Sequence, residues 1–395
     1  MTAARRCSTA WISLLAWVFA FACACTAPFA AHAATLTLQP GGPSLAELFR
    51  RAADGDVIEV LPGEYRGQVG VMPAKRLTLR GVGTRPVLLA DGRSVEGKGI
   101  LIVRGGDVRV ENLEFRGARS GDRNGAGIRF DSGKLSISRC RFVDNENGVL
   151  TSNDAAAELE IVDSEFVQAP PGTPLPHLIY VGAIAHFTLR GSRVRGGQDG
   201  HLVKSRAAVN HVLYNELVDG AGGQASYELE FPNGGIAFVI GNVIGQSETT
   251  TNPVMVAFGS EGPRDGVAEH GLFMTHNTFI SEGIKPGWFV RVHRDNLIGQ
   301  PLEQRLANNL FVGLGIASLT WHDAIAGNYL LPRVLLRDAD TRAYGLGLDS
   351  WLRGWAVDVA PARGQSLVPT AQFTLPIGTR ALAPGQGLSP GAIQD

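Results

Sequence analysis

Apolar and polar residues alternate along most of the chain, in short stretches separated by glycine-rich turns. Alternation at a period of two is the pattern of a β-strand, and the 50 glycines supply the turns between strands. Residues 44–53 instead have helical spacing, with Leu45, Leu48 and Phe49 on one face. Ser44 can cap this helix at its start. The pattern therefore predicts an all-β chain with one short helix near its beginning.

A short phrase recurs along the chain and consists of an alternating strand, a small or amide pivot residue and a further apolar pair. Its copies occupy 108–115, 135–142, 159–166, 187–194, 211–218, 238–245, 272–279, 305–312 and 324–331. The pivots are Asn112, Cys140, Ser164, Ser192, Asn215, Asn242, Asn277, Asn309 and Asn328. A repeat of about 25 residues cannot bury its apolar face alone, but stacked copies bury one continuous core. We therefore predict a single-stranded, right-handed parallel β-helix.

The five C-terminal pivots are all asparagine, and we expect them to stack as an amide ladder inside a turn of the coil. Asparagine tolerates the left-handed conformation there, and its side chain can bond neighbouring backbone. We expect the helix to span residues 34–331, with 44–53 capping its first coil. Residues 332–395 lack the repeated phrase and are expected to form an irregular C-terminal cover.

The first 33 residues have the three regions of a secretory signal peptide: a basic start, an apolar stretch and the cleavage pattern Ala31-His32-Ala33. Their apolar stretch is shorter than the roughly 20 apolar residues that a membrane-spanning helix needs. We therefore expect an exported protein, periplasmic or extracellular, with no membrane span after processing. Cys140 would then be the single cysteine of the mature chain, which excludes an intrachain disulfide.

The charge balance gives no case for nucleic-acid binding. The chain has 36 Lys+Arg and 37 Asp+Glu, a formal net charge of −1, and the predicted signal removes two arginines and no acid. The mature protein would therefore be slightly acidic, at −3, whereas a nucleic-acid partner favours a basic surface. We expect a monomer whose partner is an acidic polysaccharide.

The sequence resembles the pectin-lyase-like superfamily of right-handed parallel β-helix proteins, in residues 44–65, in residues 77–92 and in the pivot phrases. A weaker resemblance, to the alginate lyase and chondroitinase B family, lies in DGHLVKSRA (199–207). It implies that Lys204 is a Brønsted base in the cleavage of an acidic polysaccharide. One coil later the chain has YELEFPNGG (227–235), where that family has an arginine followed by a histidine.

Two consecutive coils carry charged residues that packing explains poorly. We expect them to meet on the outer surface, because stacked coils lie about 4.8 Å apart. β-Elimination requires a neutralised carboxylate, removal of the C5 proton and protonation of the leaving oxygen. We assign Arg206 to the carboxylate, Lys204 as a base with a lowered pKa, and His201 or Tyr214 as the acid. The residues expected to line the substrate site are Asp199, Glu228, Glu230, Asn233, Glu261 and Arg264.

Three alternatives remain open from the sequence. Glu228 and Glu230 share one face of a strand and could act with Asp199 in a glycoside hydrolase. The same three carboxylates could bind Ca²⁺. The charged cluster could also bind a carbohydrate without cleaving it, with a stacking surface around Trp288 as a further contact.

Overall fold

The computed structural model describes residues 33–172, 176–284, 286–318, 324–337 and 344–394. The predicted signal peptide lies almost entirely outside these residues, and it stays a prediction. Residues 34–395 form one compact unit. Within the described ranges, no helix is both long enough and apolar enough to cross a membrane.

The regular secondary structure of the described chain consists almost entirely of short strands. In chain order they are β1 Thr35–Leu38, β2 Val57–Val60, β3 Glu64–Arg66, β4 Gly70–Met72, β5 Arg76–Gly81, β6 Val87–Leu89, β7 Gly99–Glu111, β8 Glu114–Arg116, β9 Ala126–Ser138, β10 Arg141–Val143, β11 Asn147–Thr151, β12 Glu158–Val162, β13 Glu165–Val167, β14 Ile179–Val181, β15 His186–Arg190, β16 Arg193–Arg195, β17 Val203–Ser205, β18 Val209–Leu213, β19 Glu216–Val218, β20 Leu229–Phe231, β21 Ile236–Ile240, β22 Val243–Gln246, β23 Val254–Phe258, β24 His270–Thr275, β25 Thr278–Ser281, β26 Gly287–Val292, β27 Leu302–Ala307, β28 Leu310–Val312, β29 Gly315–Ile316, β30 Ala324–Ala326, β31 Tyr329–Leu331, β32 Leu336–Arg337, β33 Gly345–Leu346, β34 Ala371–Phe373 and β35 Thr379–Ala381. The helix α1 spans Leu45–Arg51, and Arg294–Leu297 and Arg333–Leu335 form 3₁₀ turns.

Successive coils stack so that their strands pair in parallel along three faces, which we name sheets 1, 2 and 3. Sheet 1 runs through β1, β2, β5, β7, β9, β12, β15, β18, β21, β24, β27 and β30. Sheet 2 runs through β4, β7, β9, β11, β14, β17, β20, β23, β26 and β29. Sheet 3 runs through β3, β6, β8, β10, β13, β16, β19, β22, β25, β28 and β31. The predicted all-β parallel β-helix is confirmed.

The interior is filled by the alternate, inward-facing residues of all three sheets, which form one continuous apolar cluster. In sheet 3, for example, the rings of Phe115, Phe142 and Phe166 stack from coil to coil, with centroids 5.2 and 4.5 Å apart. Because the core uses every second side chain, the other half of each strand points outward. Function must therefore come from those outward residues and from the turns.

The predicted asparagine ladder is present and continues through serine. The Asn242 side-chain Oδ1 accepts hydrogen bonds from the backbone N–H and the side-chain amide of Asn215, both at 2.9 Å. Asn277 accepts in the same way from Asn242, at 3.0 Å. The remaining rungs follow the same pattern and are Ser164, Ser192, Asn309 and Asn328. Each rung satisfies buried backbone that the strands leave unpaired as the coil turns.

Two details of the predicted ladder are wrong. The left-handed backbone belongs to the residue before each rung, such as Tyr214 with φ 55° and His276 with φ 52°, and not to the ladder asparagines. The pivot at Asn112 is also displaced by one position. Glu114 pairs with Arg141, so Leu113 is the equivalent of Cys140, and Asn112, with φ 51°, is the left-handed residue. The left-handed residue turns the chain between sheets 1 and 3, so that the side chain of the next residue points inward.

Helix α1 covers the first coil as predicted. The Ser44 hydroxyl accepts a hydrogen bond from the Glu47 N–H at 3.2 Å, and Leu45, Leu48 and Phe49 are buried. The helix therefore shields the end of the core from water.

The C-terminal residues lie along the sides of the last coils. Ala362 and Leu367 pack on Phe238 and Phe273, which face outward from sheet 1. Residues 392–393 pack on outward apolar residues of sheet 3, and the Ala392 N–H donates to the Thr278 hydroxyl at 2.9 Å. The segment thus covers apolar positions on sheets 1 and 3, and its clusters include no outward residue of sheet 2.

Replacing Asn242 with alanine should remove an inner rung of the ladder. It leaves the Asn215 backbone N–H without an acceptor in the buried interior, so we expect the free energy of unfolding to fall by about 3 kcal/mol. Asn328→Ala should lower the free energy of unfolding by less, because Asn328 is the last rung described and has one ladder neighbour, Asn309. Urea unfolding followed by circular dichroism measures both changes, and equal losses would contradict the role given to the ladder.

Candidate functional site

One outward row of sheet 2 places chemically active side chains next to each other. Tyr180 in β14 pairs with Lys204 in β17, and Lys204 pairs with Glu230 in β20. Adjacent strands lie about 4.8 Å apart, so residues distant in sequence become neighbours. We call the assembly around this row the Lys204 cluster. It consists of Tyr180, His201, Lys204, Arg206, Glu230 and Glu261.

Glu230 is the buried anion of the cluster. One of its oxygens lies 2.7 Å from His201 Nε2 and 3.0 Å from Lys204 Nζ, and the other accepts a 2.6 Å hydrogen bond from the Ser260 hydroxyl. Burial opposes ionisation, but His201, Lys204 and Ser260 together hold the pKa of Glu230 at about 2. The carboxylate is therefore ionised, and both of its oxygens are hydrogen-bonded within the protein.

Lys204 has a raised pKa, and the expectation of a lowered one is wrong. Burial would lower it, but the nearby carboxylates of Glu230 and Glu261 outweigh burial and raise the pKa above its ordinary value. The Lys204 side chain is 11% exposed, with Nζ 2.9 Å from a Glu261 oxygen. In the unliganded protein Lys204 is therefore an ammonium ion and not a base.

His201 is held neutral beneath the row. Burial lowers its pKa, although the bond to Glu230 favours the charged form. A carboxylate can only accept, so Nε2 carries the proton that bonds Glu230. Its other ring nitrogen is buried without a hydrogen-bond partner within the described part of the chain. His201 thus positions Glu230 through its only ring N–H, and its buried Nδ1 carries no proton in the neutral ring.

Arg206, at the end of β17, contacts residues of three other coils. Its Nε donates to the Tyr180 hydroxyl at 3.0 Å, and one terminal nitrogen donates to Asn233 Oδ1 at 2.6 Å. The guanidinium also contacts both oxygens of Glu261, at 2.7 and 3.0 Å. The Glu261 carboxylate, which belongs to the segment after β23, is therefore shared by Arg206 and Lys204. These two cations lower its pKa although burial opposes ionisation.

Arg264 adds an uncompensated positive charge beside the cluster. Its guanidinium makes no hydrogen bond or ion pair with any residue that the structure describes. Burial and the nearby charge of Arg206 lower its pKa. An anion arriving at Arg206 would therefore meet a second cation.

Asn233 and Arg264 border the cluster, whereas three other predicted site residues lie apart from it. The Tyr214 hydroxyl accepts a hydrogen bond from the Thr370 N–H at 3.1 Å, beneath the C-terminal segment. Glu228 lies in a bend before β20, is fully buried, and bonds Gln246 Nε2 at 3.4 Å. Strand alternation does not extend to that bend, so Glu228 does not share the outward face of Glu230. Asp199 is exposed in a turn, and no hydrogen bond or ion pair joins its side chain to the cluster.

The separation of Glu228, Glu230 and Asp199 also determines whether they could bind calcium together. The carboxylates proposed as ligands have different surroundings, with Glu228 beside Gln246, Glu230 beside His201, and Asp199 exposed in its turn. In the described ranges, no group of three or more His, Cys, Asp or Glu side chains could hold a metal ion. The residues therefore do not fit the predicted calcium site.

Sequence reasoning missed Tyr180 and Ser260. Tyr180 precedes Lys204 by one repeat, so aligning the coils backwards from Lys204 would have found it. Ser260 has no such signal, because it depends on the path of the segment that follows β23. Near Trp288, the guanidinium of Arg291 lies 5.6 Å from the indole ring, while Phe289 is part of the core.

The fold has known counterparts among solved structures. Pectate lyase Pel9A matches 86% of this chain and 96% of its own chain, with 13% sequence identity and a TM-score of 0.51. The chain has the pectin-lyase-like parallel β-helix fold. The PL6 family alginate lyase AlyGC matches 91% of this chain and 57% of its own, with 14% identity and a TM-score of 0.30. No protein-family model and no curated protein matches the sequence.

Replacing Glu228 with glutamine should make stability less dependent on pH. Burial and the nearby Asp219 raise the pKa of Glu228, so the folded state keeps a proton that the unfolded state releases. Stability then falls as pH rises from the unfolded pKa towards the folded one. Asp219, with a pKa of about 6, adds a similar loss at lower pH.

The test for Glu228 is therefore made between pH 6.5 and 8, where most of the Asp219 contribution is complete. We expect the wild-type free energy of unfolding to fall with pH more steeply than that of Glu228→Gln, by up to about 1.4 kcal/mol per pH unit. The exposed Glu248→Gln serves as the control and should keep the wild-type slope. Parallel slopes for all three proteins would show that Glu228 is ionised in the native state.

Proposed function

We propose that this chain is an exported polysaccharide lyase that cleaves a uronic-acid-containing polymer by β-elimination at the Lys204 cluster. The observation that carries the proposal is the single carboxylate of Glu261, which Arg206 and Lys204 hold between them. A pair of cations that binds one carboxylate is suited to bind another, and a uronate presents one at each sugar. The fold, which pectate lyase Pel9A shares, supports the proposal.

The substrate carboxylate is proposed to displace Glu261 and to bind Arg206, with Arg264 beside it. The planar guanidinium matches a carboxylate with two parallel hydrogen bonds. Glu261 is the most exposed acid of the cluster, with 44% of its side chain accessible, so its exchange disturbs little of the core. Binding of the substrate carboxylate by cations makes the C5 proton easier to remove, because it stabilises the charge that develops.

We assign the two proton transfers to Tyr180 and Lys204. We assign proton removal from C5 to Tyr180 as a phenolate, whose charge Arg206 would balance through its existing 3.0 Å hydrogen bond. The C5 electron pair forms the C4–C5 double bond, the C4–O bond breaks, and Lys204 donates its proton to the leaving oxygen. Lys204 is suited to act as the general acid, because its raised pKa keeps it protonated and its side chain is partly exposed. Glu230 and His201 hold it in place.

The hydrolase alternative has less support. An acid and a base of a glycoside hydrolase flank the scissile bond, with the carboxyls several ångströms apart. Here Glu230 is fully engaged by His201, Lys204 and Ser260, and Glu228 is buried against Gln246. A non-catalytic carbohydrate-binding role remains as an outcome of the test below.

Lys204→Ala and Tyr180→Phe should each lower kcat by about 100-fold or more, because each removes a proton-transfer group. Wild type and variants are incubated with polygalacturonate, alginate and chondroitin sulfate, and ultraviolet absorbance of the unsaturated product is recorded. Lys134→Ala, on the face of sheet 1, is the control and should retain full activity. Reducing ends without unsaturation would indicate a hydrolase, and binding without products would indicate a binding protein.

Glu261→Gln should lower the KM for the polymer by about fivefold, since the substrate would no longer compete with an internal carboxylate. Asp265→Asn, an exposed residue of the same segment, is the matched control and should leave KM unchanged. If Glu261 instead binds the substrate directly, KM will rise in the Glu261→Gln variant.

A further inference from the structure

A polar cavity lies on sheet 2 beside the Lys204 cluster, towards the N-terminal coils. It has a volume of about 450 Å³, within the range of ligand sites. Its lining includes Tyr180, which accepts the hydrogen bond from Arg206, and His177, which accepts one from the His201 N–H at 3.0 Å. The two sites therefore share a wall and meet at Tyr180.

The cavity lining suits an acidic sugar. Asn124, Asn147 and Asn153 offer amide groups, which can bond sugar hydroxyls. The hydroxyls of Thr151 and Ser152 also line the cavity, but they already donate to backbone carbonyls.

Two arginines line the cavity, together with one carboxylate, that of Asp122. Arg123 makes no side-chain hydrogen bond or ion pair within the part of the chain that the structure describes. Arg129 donates to Asp131 through Nε, at 2.9 Å, so its pairing leaves the terminal nitrogens available on that side. A carboxylate entering the cavity would thus find one fully free guanidinium and one partly free.

The strand register gives the direction in which a bound polymer extends. Arg129, Leu150, Tyr180 and Lys204 occupy one row in consecutive strands of sheet 2, a span of three strand spacings or about 14 Å. On the other side of the cluster, Glu230 is followed in the row by Ala257, which is fully buried. The row is therefore covered beyond Glu230, while Leu150 and Arg129 remain partly exposed.

We propose that this cavity is an extension subsite, in which Arg123 and Arg129 bind a second uronate carboxylate of the polymer held at the Lys204 cluster. The identity of the polymer rests on the proposed function. The partly exposed side chain of Leu150 forms an apolar floor between the two charged positions, against which the C–H face of a sugar packs. Affinity therefore increases with chain length until the polymer reaches Arg123.

The subsite is tested by isothermal titration calorimetry with size-defined oligouronates of the polymer class that the wild type binds. All variants carry Lys204→Ala, so that binding is measured without cleavage. Arg123→Ala should weaken binding of the hexamer about tenfold and leave that of the dimer unchanged. Leu150→Trp, which fills the cavity, should do the same. Arg109→Ala, an exposed arginine without a described partner on sheet 1, is the control and should bind both oligomers as its parent does.

The outcomes separate the subsite from the proposed function. If no acidic oligosaccharide binds or is cleaved by the wild-type protein, both proposals fail. If the polymer is cleaved but neither Arg123→Ala nor Leu150→Trp affects hexamer affinity, the subsite is overturned and the lyase proposal stands. Equal weakening for dimer and hexamer would also overturn it, because the cavity would then not be an extension.

Discussion

Pairing of each coil with the coils before and after it determines every position on the surface of this protein. A slip of one residue would turn the inward side chains outward, so the register must be specified strongly. Two devices do so at the turn between sheets 1 and 3. A left-handed residue, such as Tyr214 or His276, reverses the chain, and the next residue joins the ladder through hydrogen bonds such as that from Asn215 to Asn242. Because the ladder satisfies buried backbone, other registers would leave polar groups unpaired.

The Lys204 cluster follows directly from this register. Burying charges costs free energy unless they are paired and hydrogen-bonded. Here Glu230 is satisfied by His201, Lys204 and Ser260, which fixes the ammonium of Lys204 in the outward row. The exposed end of the network is different, because Glu261 binds two cations, Lys204 and Arg206, that an external carboxylate could also bind. The cluster thus combines a rigid interior with an exchangeable outer anion.

The C-terminal segment influences the site by what it covers. Its apolar residues pack on outward side chains of sheets 1 and 3, such as Phe273 and Leu310, which would otherwise be exposed. The Tyr214 hydroxyl also accepts a hydrogen bond from the Thr370 N–H of this segment, which places Tyr214 beneath the segment and apart from the Lys204 cluster. The outward row of sheet 2 remains partly exposed from Arg129 to Lys204, and both the Lys204 cluster and the neighbouring cavity lie there.

The sequence alone determined the architecture, because a repeated alternation of apolar residues and a recurring pivot depend only on local periodicity. It also located Lys204, Arg206, Glu230 and Glu261 as neighbours, since one repeat of sequence corresponds to one coil. It could not determine protonation, because the raised pKa of Lys204 depends on two carboxylates from other coils.

Only the tertiary structure determined which side chains predicted at the surface are in fact buried. The bend before β20 buries Glu228, although strand alternation places it beside Glu230. Likewise, the path of the segment after β23 brings Ser260 under Glu230, and no periodic pattern encodes that path. Periodicity describes residues within regular strands, whereas turns follow from packing among distant parts of the chain, and the chemistry of this protein lies where strands and turns meet.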